Sequence, residues 1–249
     1  MTPAQEPTPD PNGIVPRRGL AHPLESLVFV LPLILFYQLG ALYFAPSLPA
    51  QTADRVVAFQ LLRVFFDLFG TTGQWMPGLA VVAILLGAQL ASRQAWKIRL
   101  QAVLLMYAES VAWALPLLLL SRTLRLVGDD VAAGSPGQGL WPELVLCVGA
   151  GVYEELVFRL ILICLVVMVG HDLLGRSAGW TLALAVVLSS VLFAAHHHAP
   201  LGSELFDGAR FFFRFLAGVY LGVLFARRGY GPAAGAHVAY NLIVVALAR

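Results

Sequence analysis

Three short segments put ionisable or amide side chains inside strongly apolar sequence. The first is Glu154-Glu155-Leu156-Val157-Phe158-Arg159, between Val145-Leu146 and the run Leu160 to Val169. A charge inside such a run is costly in a membrane, so its presence points to function. Glu155 and Arg159 are four apart with the acid N-terminal, the favoured orientation for an intrahelical ion pair. Glu154 turns about 100° away on the helix and receives no partner from it. A buried carboxylate so placed suits general acid or base work. The second segment is Phe193-Ala194-Ala195-His196-His197-His198. Successive helical residues point about 100° apart, so three adjacent histidines cannot all face one site, and one is expected to take part. The third is His237-Val238-Ala239-Tyr240-Asn241, whose spacing stacks His237 and Asn241 on one helical face, where both can donate towards one oxygen.

In order and spacing these segments resemble the motifs of the CPBP intramembrane proteases, the family of type II CAAX prenyl endopeptidases and bacteriocin-processing enzymes. Glu154-Glu155 with Arg159 resembles EExxxR, Phe193 with His197 resembles FxxxH, and His237 with Asn241 resembles HxxxN. The match runs over Trp141 to Arg249, and the stretch from Phe215-Leu216-Ala217-Gly218 to Arg227-Arg228-Gly229-Tyr230-Gly231 is similar to the segment before the third motif in bacterial members. Each motif alone is short; three in order, each in an expected span, are specific.

The resemblance implies hydrolysis of a peptide bond inside the membrane. Glu154 would be the base and His197 would help hold the water. Glu155 and Arg159 would form a structural pair, and His237 with Asn241 would make the oxyanion hole. Reading the residues alone gives the same assignment, from the carboxylate that lacks a helix partner and the donors that share a face. No serine nucleophile is expected, because Ser189-Ser190 lack a G-x-S-x-G elbow. Glu154, His197 and His237 would also make a three-ligand zinc set with room for water. Yet H-E-x-x-H is absent, and family members are described both as metalloproteases and as glutamate-dependent enzymes. The expectation is an enzyme without a cofactor, with zinc as the alternative.

The elements that must hold these groups follow from composition. The 249 residues are 59% hydrophobic and 12% charged, against roughly 25% charged in soluble domains. The mean hydropathy is +0.79. Sixteen basic against 14 acidic side chains leave a net +2, too balanced for a nucleic-acid-binding stripe. Crossing a bilayer takes ~20 apolar residues, and such runs recur. The expected fold is all-α: a polytopic transmembrane helical bundle of about seven or eight helices with the site inside it.

Residues 1–23, with six prolines and Arg17-Arg18, read as a disordered cytoplasmic tail. Residues 24–140 read as N-terminal membrane helices, including an amphipathic segment near 54–70 marked by Gln60, Arg63 and Asp67, and 141–249 as the catalytic helical core. Spans are expected at Leu24 to Phe44, Trp75 to Ala91, Leu100 to Leu120, Trp141 to Val169, Trp180 to His197, Ala209 to Ala226 and Pro232 to Ala248. If the amphipathic segment lies in the interface, Arg17-Arg18, Arg93/Lys97/Arg99, Arg176 and Arg227-Arg228 fall on one side, which places the N-terminus in the cytoplasm, of a bacterial cell. Cys147 and Cys164 are too far apart on one helix to pair. The Phe211-Phe212-Phe213 run is expected to face lipid. Helix counting puts Glu154 near mid-membrane but His197 near the end of its span, a mismatch that tilt, a wet cavity or a shifted boundary must remove.

The expected partners are membrane lipid and a membrane-embedded or lipidated substrate. Two rivals remain: a non-enzymatic immunity or scaffold protein of the same fold, and an ion or proton translocator using the buried Glu and His. A complete set of motif residues argues against the first. The second would not need His237 and Asn241 on one face.

Overall fold

The computed structural model describes residues 22–44, 58, 62, 73, 75–124, 139–202 and 204–247. Seven apolar helices form along them: α1 (Pro23–Phe44), α2 (Met76–Ser92), α3 (Leu100–Thr123), α4 (Leu140–Leu173), α5 (Ala178–Ala195), α6 (Gly208–Arg228) and α7 (Tyr230–Leu247). All but the 17-residue α2 are long and apolar enough to cross a membrane. The chain is therefore an integral membrane helical bundle. The tail expected over 1–23 lies almost wholly outside the described residues. So does the amphipathic segment near 54–70, apart from Ala58 and Leu62, which are helical and buried.

Local sequence sets several helix boundaries. Pro77 stands at the start of α2, where its missing N–H costs nothing. Asp207 caps α6 by accepting the Arg210 N–H at 2.8 Å. Gly229, at φ 90°, ends α6 and lets the chain turn straight into α7. α4 runs on to Leu173, past the expected end at Val169, and contains two wide π-helical stretches, Leu156–Ile163 and Met168–Leu173. α5 ends at Ala195, two residues before its expected end.

α4 and α5 form an antiparallel hairpin about the turn at 174–177. Gly170 packs on Thr181, Ser189 Oγ donates to Phe158 O at 2.6 Å, and the Arg159 guanidinium lies over the Phe193 ring. Continued by one more turn, this register brings Glu154 opposite the residues just after α5. Both sit about 27 Å from the turn at 1.5 Å per residue. The expected depth mismatch thus disappears: the middle of a 34-residue helix is not the middle of a span.

Small residues allow the remaining helices to approach closely, as is usual where lipid removes any hydrophobic drive between helices. A Cβ on Gly151 of α4 would lie 2.4 Å from Val238 of α7, and one on Gly218 of α6 would lie 2.9 Å from Ser190 of α5. α7 is the most enclosed helix, with 67% of its apolar window buried.

Candidate active site

Glu154 and Glu155 close the α-helical part of α4, and the wide turns begin at the next residue. Wide turns of this type often mark functional positions. Glu155 is fully buried and meets two partners through Oε1: Arg159 Nη1 at 2.8 Å and His237 Nδ1 at 2.8 Å. The expected pair with Arg159 is present, and a contact that the sequence does not announce ties it to α7. Arg159 is fully buried too, its Cζ 4.2 Å from the centre of the Phe193 ring and its Nη2 donating to Gly218 O of α6 at 3.4 Å.

Glu154 points the other way, into a cluster of imidazoles. Its Oε1 is 3.5 Å from His196 Nε2 and 3.9 Å from His197 Nε2, and its Oε2 is 3.8 Å from His237 Nε2. Two adjacent histidines therefore reach the carboxylate, not the single one that helix geometry predicts. The physical reason is the Phe193 carbonyl, which both rings bind at Nδ1, so that both Nε2 atoms turn to Glu154. His198 turns away, its Nδ1 on Leu205 O at 3.2 Å and its ring against Phe206 and Phe211. His197 is the more open of the pair, with 21% of its side chain exposed against 4% for His196.

The Nδ1 atoms fix how these rings present themselves. His196 and His197 both turn Nδ1 to Phe193 O, at 2.5 and 2.9 Å, and His237 turns Nδ1 to the Glu155 carboxylate. Carbonyl and carboxylate oxygens only accept, so Nδ1 is the donor in all three rings. In neutral rings every Nε2 then carries a lone pair towards Glu154. Acceptors facing acceptors leave a place that a water, a proton or a cation stabilises. Charge makes the same demand, because two carboxylates and one guanidinium leave the cluster with one uncompensated negative charge.

The cluster borders a cavity of about 150 Å³ among α3, α4, α5, α6 and α7. That volume holds roughly five waters at ~30 Å³ each. Glu154, His197, His237 and Asn241 line it, with Leu117, Phe213, Arg214, Ala217 and Tyr240 among the other walls. Asn241 lies one turn beyond His237, as its spacing predicts, and its Nδ2 donates to Cys147 O over a long 3.4 Å. Phe213 is buried in the wall, which corrects the expectation of a lipid-facing Phe211-Phe212-Phe213 run; only Phe212 is well exposed, at 51%. The Ser189 and Ser190 hydroxyls donate to Phe158 O and Val186 O.

Sequence reasoning gave Phe193 only as a motif position, whereas it holds two imidazoles by its carbonyl and Arg159 by its ring. It set His196 aside on helix geometry and overlooked two participants altogether. Glu204 and Arg214 form a forked ion pair, 2.8 Å on each side, between the loop after α5 and α6. Burial favours protonation of Glu204, but the Arg214 fork outweighs it and holds the carboxyl below its ordinary value of 4.5. The signal for this pair was present, as an acid in a connecting loop and an Arg inside an apolar helix.

For a metal, Glu154, His196 and His197 offer ligand atoms that all lie within 4.8 Å of one another. The donor set suits zinc. It differs from the expected set in taking His196 where the sequence suggested His237.

The bundle thus places a carboxylate and three imidazoles beside an internal cavity. Residues 136–243 match the family model described as Type II CAAX prenyl endopeptidase Rce1-like, a span that contains every member of the cluster, and this supports placing the chain among the CPBP intramembrane proteases. The family is in general one of proteases. No curated protein and no solved structure matches the chain.

Proposed function

We propose that the chain is an intramembrane endopeptidase that hydrolyses a peptide bond of a membrane-associated or lipidated polypeptide through water activated by Glu154. The observation that carries this reading is the convergence of three Nε2 atoms on the Glu154 carboxylate at the edge of a cavity deep in the bundle. A water between Glu154 and His197 gives up its proton to Glu154 as it attacks the carbonyl carbon, and Glu154 then returns that proton to the leaving nitrogen. The extra proton that charge balance requires, when carried on His237 Nε2, makes that ring a donor to the oxyanion, held in place at Nδ1 by Glu155. Asn241 is the second donor, released from its long bond to Cys147 O.

A second reading keeps the same reaction with zinc held by Glu154, His196 and His197, and it is favoured by their mutual spacing. Bound there, zinc would polarise the carbonyl and acidify the water. A translocator using the same groups needs no oxyanion donors, and an inactive scaffold needs none of the cluster.

The deciding experiment pairs the purified protein in lipid nanodiscs with a farnesylated peptide ending in Cys-aliphatic-aliphatic-X, and with membrane peptides from cells that have and lack the protein. Mass spectrometry should show new termini for the wild type and none for Glu154→Gln. No cut in any of these, with pH-coupled flux in proteoliposomes, would replace the endopeptidase by a translocator.

A further inference from the structure

α5 stops at Ala195, with His196 as its cap and His197 opening the loop that follows. Groups on loops are held less sharply than groups on helices unless something outside the loop fixes them. This loop folds back on its own start. The Ala199 N–H donates to Glu204 O at 2.8 Å, and the Glu204 N–H donates to His197 O at 3.2 Å. Gly202 lies against the same peptide, where a Cβ would stand 2.4 Å from both His196 O and His197 O.

The Glu204 backbone thus touches the histidines while its carboxylate leaves the loop for α6. There Arg214 Nη1 and Nη2 each donate to one carboxylate oxygen at 2.8 Å, with Arg210 Nη1 further off at 3.7 Å. A two-pronged bond of this kind fixes orientation as well as distance. Exposed ion pairs add little to stability. This one has side-chain exposures of only 21% and 11%, and what it governs is position. Arg214 also walls the cavity, so one guanidinium faces the reaction space and grips the histidine loop.

We infer that Glu204 and Arg214 form a clamp that sets His196 and His197 at their working distance from Glu154, which makes both of them positioning residues for hydrolysis. This rests on the endopeptidase reading above. Neither residue belongs to the three motifs.

The test uses the full chain in nanodiscs and an internally quenched farnesylated peptide ending in Cys-aliphatic-aliphatic-X. Glu204→Gln keeps the shape and removes the charge. It should lower kcat by about 10- to 100-fold with KM within about twofold. Arg214→Lys, which keeps the charge and loses the fork, and Gly202→Ala, which pushes on the same peptide, should lower kcat in the same direction. Glu109→Gln, which breaks the remote 2.6 Å pair with Arg228, is the control and should leave kcat unchanged.

A second readout needs no substrate: the ring nitrogen shifts of His196 and His197 in labelled protein should move in Glu204→Gln and stay still in Glu109→Gln. Unchanged kcat in Glu204→Gln overturns the clamp, and so does a loss of kcat with unmoved ring shifts. Should Glu204→Gln not fold, Arg214→Lys and Gly202→Ala decide by the same two readouts. A wild type that cuts neither this peptide nor any membrane peptide of the cells defeats the endopeptidase reading, while the ring shifts still judge the clamp.

Discussion

Glu154 and Glu155 are neighbours in sequence with different work to do. Glu154→Gln keeps shape and volume while removing the base, so the variant should insert and fold normally yet lose cleavage by at least about 10²-fold. Full cleavage would reject the assignment. Glu155→Gln or Arg159→Ala should instead cost about 3–5 kcal/mol by stranding a buried charge, seen as a lower melting temperature in detergent. A normal melt in both would show that the pair is not structural. Among the histidines, His197→Ala should be the most severe, because its ring faces the cavity. His196→Ala should be costly too, and His198→Ala mild; side-by-side cleavage assays with alanine variants check the order. The six polar residues of the motifs were legible in the sequence, because such groups in apolar text stand out and their spacings survive folding. His196 was not, since its exclusion counted ring directions from the helix alone and left out the Phe193 carbonyl that turns both neighbouring rings.

The long α4 and the shorter α5 carry most of the geometry. Their apolar runs were readable, but not the register between them, which depends on where the turn at 174–177 falls and on contacts such as Ser189 with Phe158. Nor could composition reveal Glu204 with Arg214, a pair made between a loop and a helix ten residues on. Two tests belong to these contacts. Gly151→Ala would drive a methyl group into Val238 and displace α7, which carries His237. It should cost about 1–3 kcal/mol through overpacking and lower activity by more than the lost stability explains. Equal losses in both would mean that α7 is not aligned by this contact. The second test is acid. Glu204 is held below 4.5 by Arg214, with Arg210 and His198 as the other charged or titratable groups facing it, so the fork adds stability above that pH and loses it as the carboxyl protonates below. Melting curves of wild type and Glu204→Gln should differ at neutral pH and converge in acid; a constant gap would deny the fork its role.

Across the whole bundle, the open chemical question is what stands among four acceptors. If a proton and water fill the place, chelation leaves cleavage intact, and Asn241→Ala should cost about 10²–10³ in turnover through loss of an oxyanion donor. Stoichiometric zinc by elemental analysis, lost in His196→Ala but kept in Asn241→Ala, would establish the metal reading instead. The class of the fold was plain from composition alone, since a chain that is 59% hydrophobic has few other ways to satisfy its backbone. The hairpin of α4 and α5 has a practical consequence as well. Its turn is exposed at Arg176 and Ser177 and stands about 27 Å from Glu154 by helix rise, too far to disturb the site. A dye on Ser177→Cys, offered from one side of a sealed vesicle at a time, gives a beacon that reports the sidedness of the bundle, and a tether at the same place could fix working enzyme to a surface with its cavity free.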